Sequence, residues 1–364
     1  MKIATIIGTR PEIIKMSSLL PSFDEQFEHI LIHTDQHYSY ELDQIMFEQL
    51  QLKKPKYRLS TNKNNSAVQL GDMILQISEI LEKERPDVVV VHGDTNSTMA
   101  GAIAANKLKI KIVHVEAGCR SNNFEMPEEF NRIVADHLSN ILFAPDKVAV
   151  DNLRRENISE EKIKLVGSTV FDYSQRNKNF ANKAILSQLN LAEGKFIVAT
   201  LHRQESVDNT IIVKDLLAAL GAIAEKIPVV FPIHPRTQKA ITDNKIIIEK
   251  KIITTKPLGY LEFLALLQNC RFVMTDSGGI QEEASAFNKP CLVLRDVTEW
   301  SRLVDAGKNF ITTTKKENIL IQAERLLNDA ELTRVREIRY ANDAGASDKI
   351  IRILKTTNST PELF

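Results

Sequence analysis

Short, continuous apolar runs alternate with helix-length amphipathic segments along almost the whole chain, and few folds accept that rhythm. In the first half the runs are residues 3–7, 30–33, 88–92, 112–115, 141–144 and 164–166. In the second half they are residues 196–201, 229–233, 252–254, 272–275, 291–294 and 310–312. A strand that is apolar at every position is buried on both faces, as in a parallel sheet with helices on either side. Six strands per half predict two Rossmann-like, doubly wound α/β domains facing a cleft. The expected divisions are residues 1–171, a polar linker or hinge over 172–194, a second domain over 195–345, and a C-terminal helix and tail over 346–364. That helix could pack on either domain. The length of 364 residues also suits two domains.

Composition narrows the function. Lys+Arg and Asp+Glu are both 47, so the formal charge is zero, unlike a general nucleic-acid binder. The three cysteines, Cys119, Cys270 and Cys291, show neither a disulfide framework nor CxxC spacing. The chain opens on a strand-like run without signal-peptide character, and no run of about 18 apolar residues occurs. A cytoplasmic protein without a membrane span is expected.

In doubly wound sheets, ligands bind where strands end and helices begin. After the first run comes Gly8-Thr9-Arg10-Pro11-Glu12-Ile13-Ile14-Lys15. Gly8 permits a tight turn and Pro11 suits a helix start, so Arg10 and Lys15 are placed to meet an anion. The alternative is a solvated Arg and Lys beside an ordinary turn. The spacing is neither GxGxxG nor a Walker loop. After the third run comes His92-Gly93-Asp94-Thr95, where Asp94 could equally cap the next helix. The fourth run ends His114-Val115-Glu116-Ala117-Gly118-Cys119-Arg120, and a Glu at a buried strand end needs a partner or a function. Pro127-Glu128-Glu129-Phe130-Asn131-Arg132 then opens a helix. Asp94, Glu116 and Glu128 thus come from one sheet edge, where crowding is expected to raise their pKa values. Asp94, Glu116, His92 and His114 form a rival metal-ligand set, but no motif such as HExxH supports it, and no metal is expected.

In the second half, Thr200-Leu201-His202-Arg203-Gln204-Glu205 and His234-Pro235-Arg236 present His and Arg at strand ends. The strongest single signal is Thr275-Asp276-Ser277-Gly278-Gly279-Ile280-Gln281-Glu282-Glu283. Gly278 and Gly279 let backbone approach a phosphate at a helix N-terminus, Ser277 adds a hydroxyl, and Glu283 lies within reach of a ribose. The alternative is a tight strand–helix turn. Arg295 follows the next run.

Taken in order, GTRPEIIK, HGDTNST, HVEAGCR, MPEEFNR, TLHRQES and TDSGGIQEEA resemble the non-hydrolysing UDP-N-acetylglucosamine 2-epimerases. The likeness runs from residue 3 to beyond residue 300. It implies a GT-B-like fold, a cytoplasmic homodimer, and reversible conversion of UDP-GlcNAc to UDP-ManNAc without a nicotinamide or other cofactor. The implied route eliminates UDP across C1–C2 to 2-acetamidoglucal and re-adds it. By resemblance, Asp94, Glu116, Glu128 and His202 are the catalytic acids and histidine. Arg10 and Lys15 meet the diphosphate, Ser277, Gly278 and Gly279 the β-phosphate, and Glu283 the ribose. Phe263 and His234 lie toward the uracil, and Arg295 is a further substrate contact. Two departures stand out. Trp300-Ser301 replaces the usual Arg-Pro after Thr298-Glu299, and Asp35 replaces a small residue before Gln36-His37. Cys119, in place of a frequent Leu, is expected simply to pack.

Alternatives are an epimerase acting on a modified UDP-sugar, or a hydrolysing relative releasing ManNAc and UDP. A glycosyltransferase would need an acceptor surface, and a non-catalytic nucleotide-sugar sensor would be expected to have lost some of Asp94, Glu116, Glu128 and His202.

Overall fold

The computed structural model describes residues 1–36, 40–61, 65–298, 300–338 and 345–359. The chain forms two compact units, Met1–Arg176 with Asp343–Phe364, and Asn177–Asn342. The first contains a parallel sheet of β1 (Lys2–Ile7), β2 (Glu28–His33), β3 (Tyr57–Arg58), β4 (Val88–His92), β5 (Lys111–Val115), β6 (Ile141–Ala144) and β7 (Ile163–Leu165). Its order is β3-β2-β1-β4-β5-β6-β7. The second contains β8 (Ile197–Thr200), β9 (Val229–Pro232), β10 (Ile252–Thr255), β11 (Val273–Thr275), β12 (Cys291–Val293) and β13 (Asn309–Ile311). Its order is β10-β9-β8-β11-β12-β13. Every pairing is parallel. Both units are therefore doubly wound α/β folds of the GT-B-like kind.

The apolar runs form these sheets because both faces are covered. All five residues of β4 are buried, and Ala4 and Ile6 of β1 pack with Met73, Ile77 and Leu81 of the helix Ser66–Glu84. In the second unit, Ile197, Ala199, Val229, Phe231 and Met274 pack with Leu216, Leu217 and Leu220 of the helix Thr210–Ala224. Sequence pattern misses β3, because two half-buried residues at a sheet edge carry no apolar run.

The segment expected as a linker, 172–194, is largely helical. It contains most of the helix Thr169–Asn177, a 3-10 turn Lys178–Phe180 and the helix Ala184–Gln188. The C-terminal helix Ala346–Ser359 belongs to the first unit. Asp172 accepts the N–H groups of Gly345 at 2.7 Å and Ser347 at 2.6 Å, so one carboxylate caps that helix. Among the described residues no helix is long and apolar enough to cross a membrane.

The topology selects the functional edge. Strand order reverses between β1 and β4 in the first unit and between β8 and β11 in the second. At such switch points the loops leaving neighbouring strands diverge and open a crevice at the strands' carboxyl ends. The motifs of Arg10, Asp94, His202 and Ser277 follow these four strands.

Candidate active site

In the first unit, Thr9 caps the helix Arg10–Lys15, with Pro11 in its first turn. Gly8 is dictated by packing: a Cβ there would lie 2.0 Å from both Ser97 Oγ and Thr34 Oγ1. The turn leaves Arg10 exposed and aims Lys15 inward. Lys15 Nζ donates to both oxygens of Glu116 at 2.8 Å. Asp94 does not cap the following helix; Thr95 does, its hydroxyl accepting the Thr98 N–H at 3.2 Å. The Asp94 carboxylate instead receives Arg132, which also binds Glu129 at 2.7 Å. Glu129 in turn accepts the N–H groups of Ser121 and Asn122 and fixes the preceding loop. Glu128, one residue earlier, stays exposed.

The expected crowding of acids is therefore corrected. Burial raises the Glu116 carboxyl, but Lys15 and then His92 outweigh burial and hold it down at about 2. The raised carboxyl is one the sequence motif contained without pointing to it, Glu12. It is 2% exposed and accepts from Gly8 N–H at 2.9 Å, Thr9 Oγ1 at 3.0 Å and Thr95 Oγ1 at 2.9 Å. Burial pushes it up to about 7 despite those donors, with Asp94 adding to the rise. Glu12, Lys15, His92, Asp94, Glu128 and Asn131 are among the residues lining a pocket of about 370 Å³.

Behind this pocket lies a buried frame. His114 Nδ1 meets Asp136 at 2.6 Å and its Nε2 meets the Gly93 carbonyl at 2.8 Å. Asp136 also receives Arg120 at 2.7 Å. His114 thus holds the loop carrying Asp94 rather than serving as a metal ligand. Among the described residues, the one trio with ligand atoms close enough for a metal is His33, Asp35 and Asp43. His33 Nδ1 is 2.5 Å from Asp35 Oδ1, which also accepts from Arg58 at 2.6 Å. The unusual Asp35 is thereby absorbed by local partners, and His37 lies outside the described residues.

In the second unit, Asp276 is fully buried and organises the β8 exit. Its carboxylate accepts the His202 and Arg203 N–H groups, each at 2.9 Å, and meets His202 Nδ1 at 2.8 Å. Burial raises the Asp276 carboxyl, but the His202 contact and the two N–H donors win and lower it. His202 is thus fixed in orientation through a neighbour that the TDSGG motif contained but residue type alone did not single out. His234, with its ring 5.6 Å from that of His202, caps the helix Pro235–Asp243 by accepting the Arg236 N–H at Nδ1, 3.2 Å away. Burial, then His202, lowers its pKa.

Ser277 is the N-cap of the helix Gly278–Ala286, and its side chain makes no capping bond. A Cβ on Gly279 would meet nothing within 4 Å, so the space before this N-terminus is open. Glu283 is buried on the same helix. Phe263 packs partly into the second unit's core, and Arg295 Nε is 3.8 Å from Glu205. Trp300 is buried, with the Arg302 guanidinium 5.4 Å from its ring, and Glu299 lies outside the described residues.

One doubly wound unit thus carries paired acids at its switch point, and the other an open helix N-terminus at its own. The UDP-N-acetylglucosamine 2-epimerase family model matches residues 22–355. A UDP-N-acetylglucosamine 2-epimerase of Methanococcus maripaludis is 44% identical over 337 residues, covering 90% of this chain and 92% of the relative. A UDP-2,3-diacetamido-2,3-dideoxy-D-glucuronate 2-epimerase of Pseudomonas aeruginosa is 43% identical over 331 residues, covering 90% and 92%. The crystal structure of the Methanocaldococcus jannaschii UDP-GlcNAc 2-epimerase, in complex with UDP-GlcNAc and UDP, is 41% identical. It superposes with a TM-score of 0.85 over 98% of this chain and all of that one. The chain belongs to the UDP-N-acetylglucosamine 2-epimerase family.

Proposed function

We propose that this protein interconverts UDP-GlcNAc and UDP-ManNAc by eliminating and re-adding UDP. The sugar C2–H has no adjacent carbonyl, so its direct removal is too costly. Instead a base takes the C2 proton as the C1–O bond breaks, that bond's electron pair leaving with the diphosphate. The product pair is UDP and 2-acetamidoglucal, with a C1=C2 double bond. A proton then returns to C2 on the opposite face and the diphosphate oxygen reattaches at C1. Such a route needs acid/base groups and a stabilised leaving group.

The observation that carries this assignment is the part-buried Lys15–Glu116 pair beside Asp94 at the first unit's switch point. Glu116, Asp94, Glu128 and His202 are the acid/base groups. Arg10 and Lys15 neutralise the diphosphate. The N-terminus of Gly278–Ala286, with Ser277 and open space at Gly279, takes the β-phosphate. Glu283 takes the ribose, and Phe263, His234 and Arg295 are further substrate contacts. A homodimer is expected from the family and is checked by sedimentation.

The Pseudomonas aeruginosa relative supports a second candidate, a diacetamido-uronate sugar. Of the residues lining the 370 Å³ pocket, only Lys15 is cationic, and it already binds Glu116. A sugar carboxylate would find no second cation there, which favours UDP-GlcNAc. NMR of the protein with each UDP-sugar in deuterated water tests the choice. UDP-ManNAc carrying deuterium at C2 is expected. Free ManNAc would mean hydrolysis, turnover of the uronate alone would select the second substrate, and no turnover would remove the enzymatic assignment.

A further inference from the structure

Two histidines end neighbouring strands of the first unit, and their surroundings differ sharply. β4 and β5 pair with Val91 opposite His114 and His92 opposite Val115. His114 has an acceptor at each ring nitrogen. His92 is 1% exposed, and among the described residues neither of its nitrogens has a hydrogen-bond partner. The preceding residues Val88–Val91 show that a fully apolar side chain suits this strand. A buried imidazole left unbonded is costly and needs an explanation.

The geometry offers one. His92 Nε2 lies 3.6 Å from Glu116 Oε2, too long for a hydrogen bond but only about 0.7 Å beyond one. Glu116 sits in the left-handed region at φ 68°, a conformation that is strained for a residue with a side chain and tends to mark functional positions. Its carboxylate is occupied by Lys15 at both oxygens. The other charged or titratable groups acting on the pair are Asp94 of the loop after β4 and His114 of β5, on His92, and Arg132 of the helix Pro127–Leu138, on Glu116. Arg132 is committed to Asp94 and Glu129, and His114 to Asp136 and Gly93. If Lys15 leaves, His92 is the donor able to take its place.

Resting on the assignment of Lys15 to the diphosphate made above, we propose that His92 is a positioning residue for Glu116. When the diphosphate draws the Lys15 ammonium away, the His92 Nε2–H closes onto the Glu116 carboxylate and holds it for proton transfer. Capture of the leaving group is thereby coupled to release of the base. With Lys15 on Glu116 the carboxylate is a poor proton acceptor. With only a neutral imidazole beside it, the same buried carboxylate is a better one. The device keeps Glu116 inert until a diphosphate is present.

The test uses the full chain with ¹⁵N-labelled histidine, with and without UDP, beside the variants Lys15→Met, His92→Phe and His92→Gln. UDP is expected to shift the His92 Nε2–H resonance downfield, as a new hydrogen bond to a carboxylate does. Lys15→Met should show the shifted resonance without UDP. In turnover of UDP-GlcNAc, His92→Phe should lower kcat by about 10- to 100-fold with KM within about threefold. Its acidic limb of kcat should move to higher pH, because a buried carboxylate without a donor ionises less readily. His92→Gln, which restores an N–H, should recover most of the loss and return the limb. A resonance unmoved by UDP and by Lys15→Met overturns the proposal. So does a wild-type kcat and limb in His92→Phe, or equal losses in both His92 variants that track their melting temperatures. Failure of the wild type to epimerise UDP-GlcNAc would instead strike the proposed function, and the resonance measurement, which needs only UDP, still decides the role of His92.

Discussion

The switch points of the two units share a topology and differ in how they treat charge. In the first unit three acids at the edge are already answered from within the protein: Glu116 by Lys15, Asp94 by Arg132, Glu129 by Arg132 and two backbone N–H groups. In the second, a single buried carboxylate, Asp276, fixes His202, and the helix N-terminus at Ser277-Gly278-Gly279 faces open space. The difference separates two kinds of work. Internal ion pairs set the protonation and direction of groups that must move protons. An open helix N-terminus offers backbone donors to an anion that comes from outside.

The largest expected effect tests the first half of that contrast. Asp94→Asn keeps the shape but removes the charge that Arg132 answers, and turnover should fall about 10³-fold. UDP affinity, measured by calorimetry, should stay within about threefold. Wild-type activity in this variant would take Asp94 off the list of acid/base groups.

Glu12 should produce the next largest effect, in stability. Its folded-state pKa of about 7 lies above the ordinary glutamate value of 4.5, so folding favours the protonated form. The contribution is fully present below about pH 4.5 and is lost as pH rises through about 7, an effect of about 3 kcal/mol. Denaturant midpoints for Glu12→Gln should lose that slope between pH 4.5 and 7.5. A variant with the wild-type slope would mean that the three loop donors hold Glu12 ionised throughout.

The architecture was legible because continuous apolar strands leave little choice of fold, and the switch-point loops could be located from strand ends alone. The charge pattern was not. Lys15 and Glu116 are 101 residues apart, and Arg132 reaches Asp94 across 38, so spacing could not reveal that the acids arrive with their own cations. The segment 172–194 contains the boundary between the two units, after Arg176, but its helices Thr169–Asn177 and Ala184–Gln188 were not legible because their polar residues resemble loop composition. Asp276 and Glu12 stood inside quoted motifs, but nothing in residue type says which motif carboxylate becomes buried.

The second unit's half of the contrast is tested at Gly279. Beyond its chain neighbours and the backbone of its own helix, nothing lies within 4 Å of where its Cβ would be, so Gly279→Leu should fold normally. A leucine side chain at the helix N-terminus would block a phosphate, and UDP affinity should drop about 30-fold, roughly 2 kcal/mol. The melting temperature should change little. Unaltered UDP binding would move the phosphate site elsewhere.

The smallest effect asks whether the contrast depends on the C-terminal helix. Asp172 caps Ala346–Ser359 through two N–H bonds, and loss of such a cap costs about 1 kcal/mol. Asp172→Ala should lower the denaturant midpoint by that amount. Because the helix packs on the first unit through Ser347–Ser18 at 3.0 Å and Lys349 to the Val166 carbonyl at 3.0 Å, the damage should stay with that unit. Hydrogen exchange should therefore quicken in Ala346–Ser359 and leave Gly278–Ala286 unchanged. Equal quickening in both helices would mean that the two units do not unfold independently, and that the division of labour between them is not matched by a division of stability.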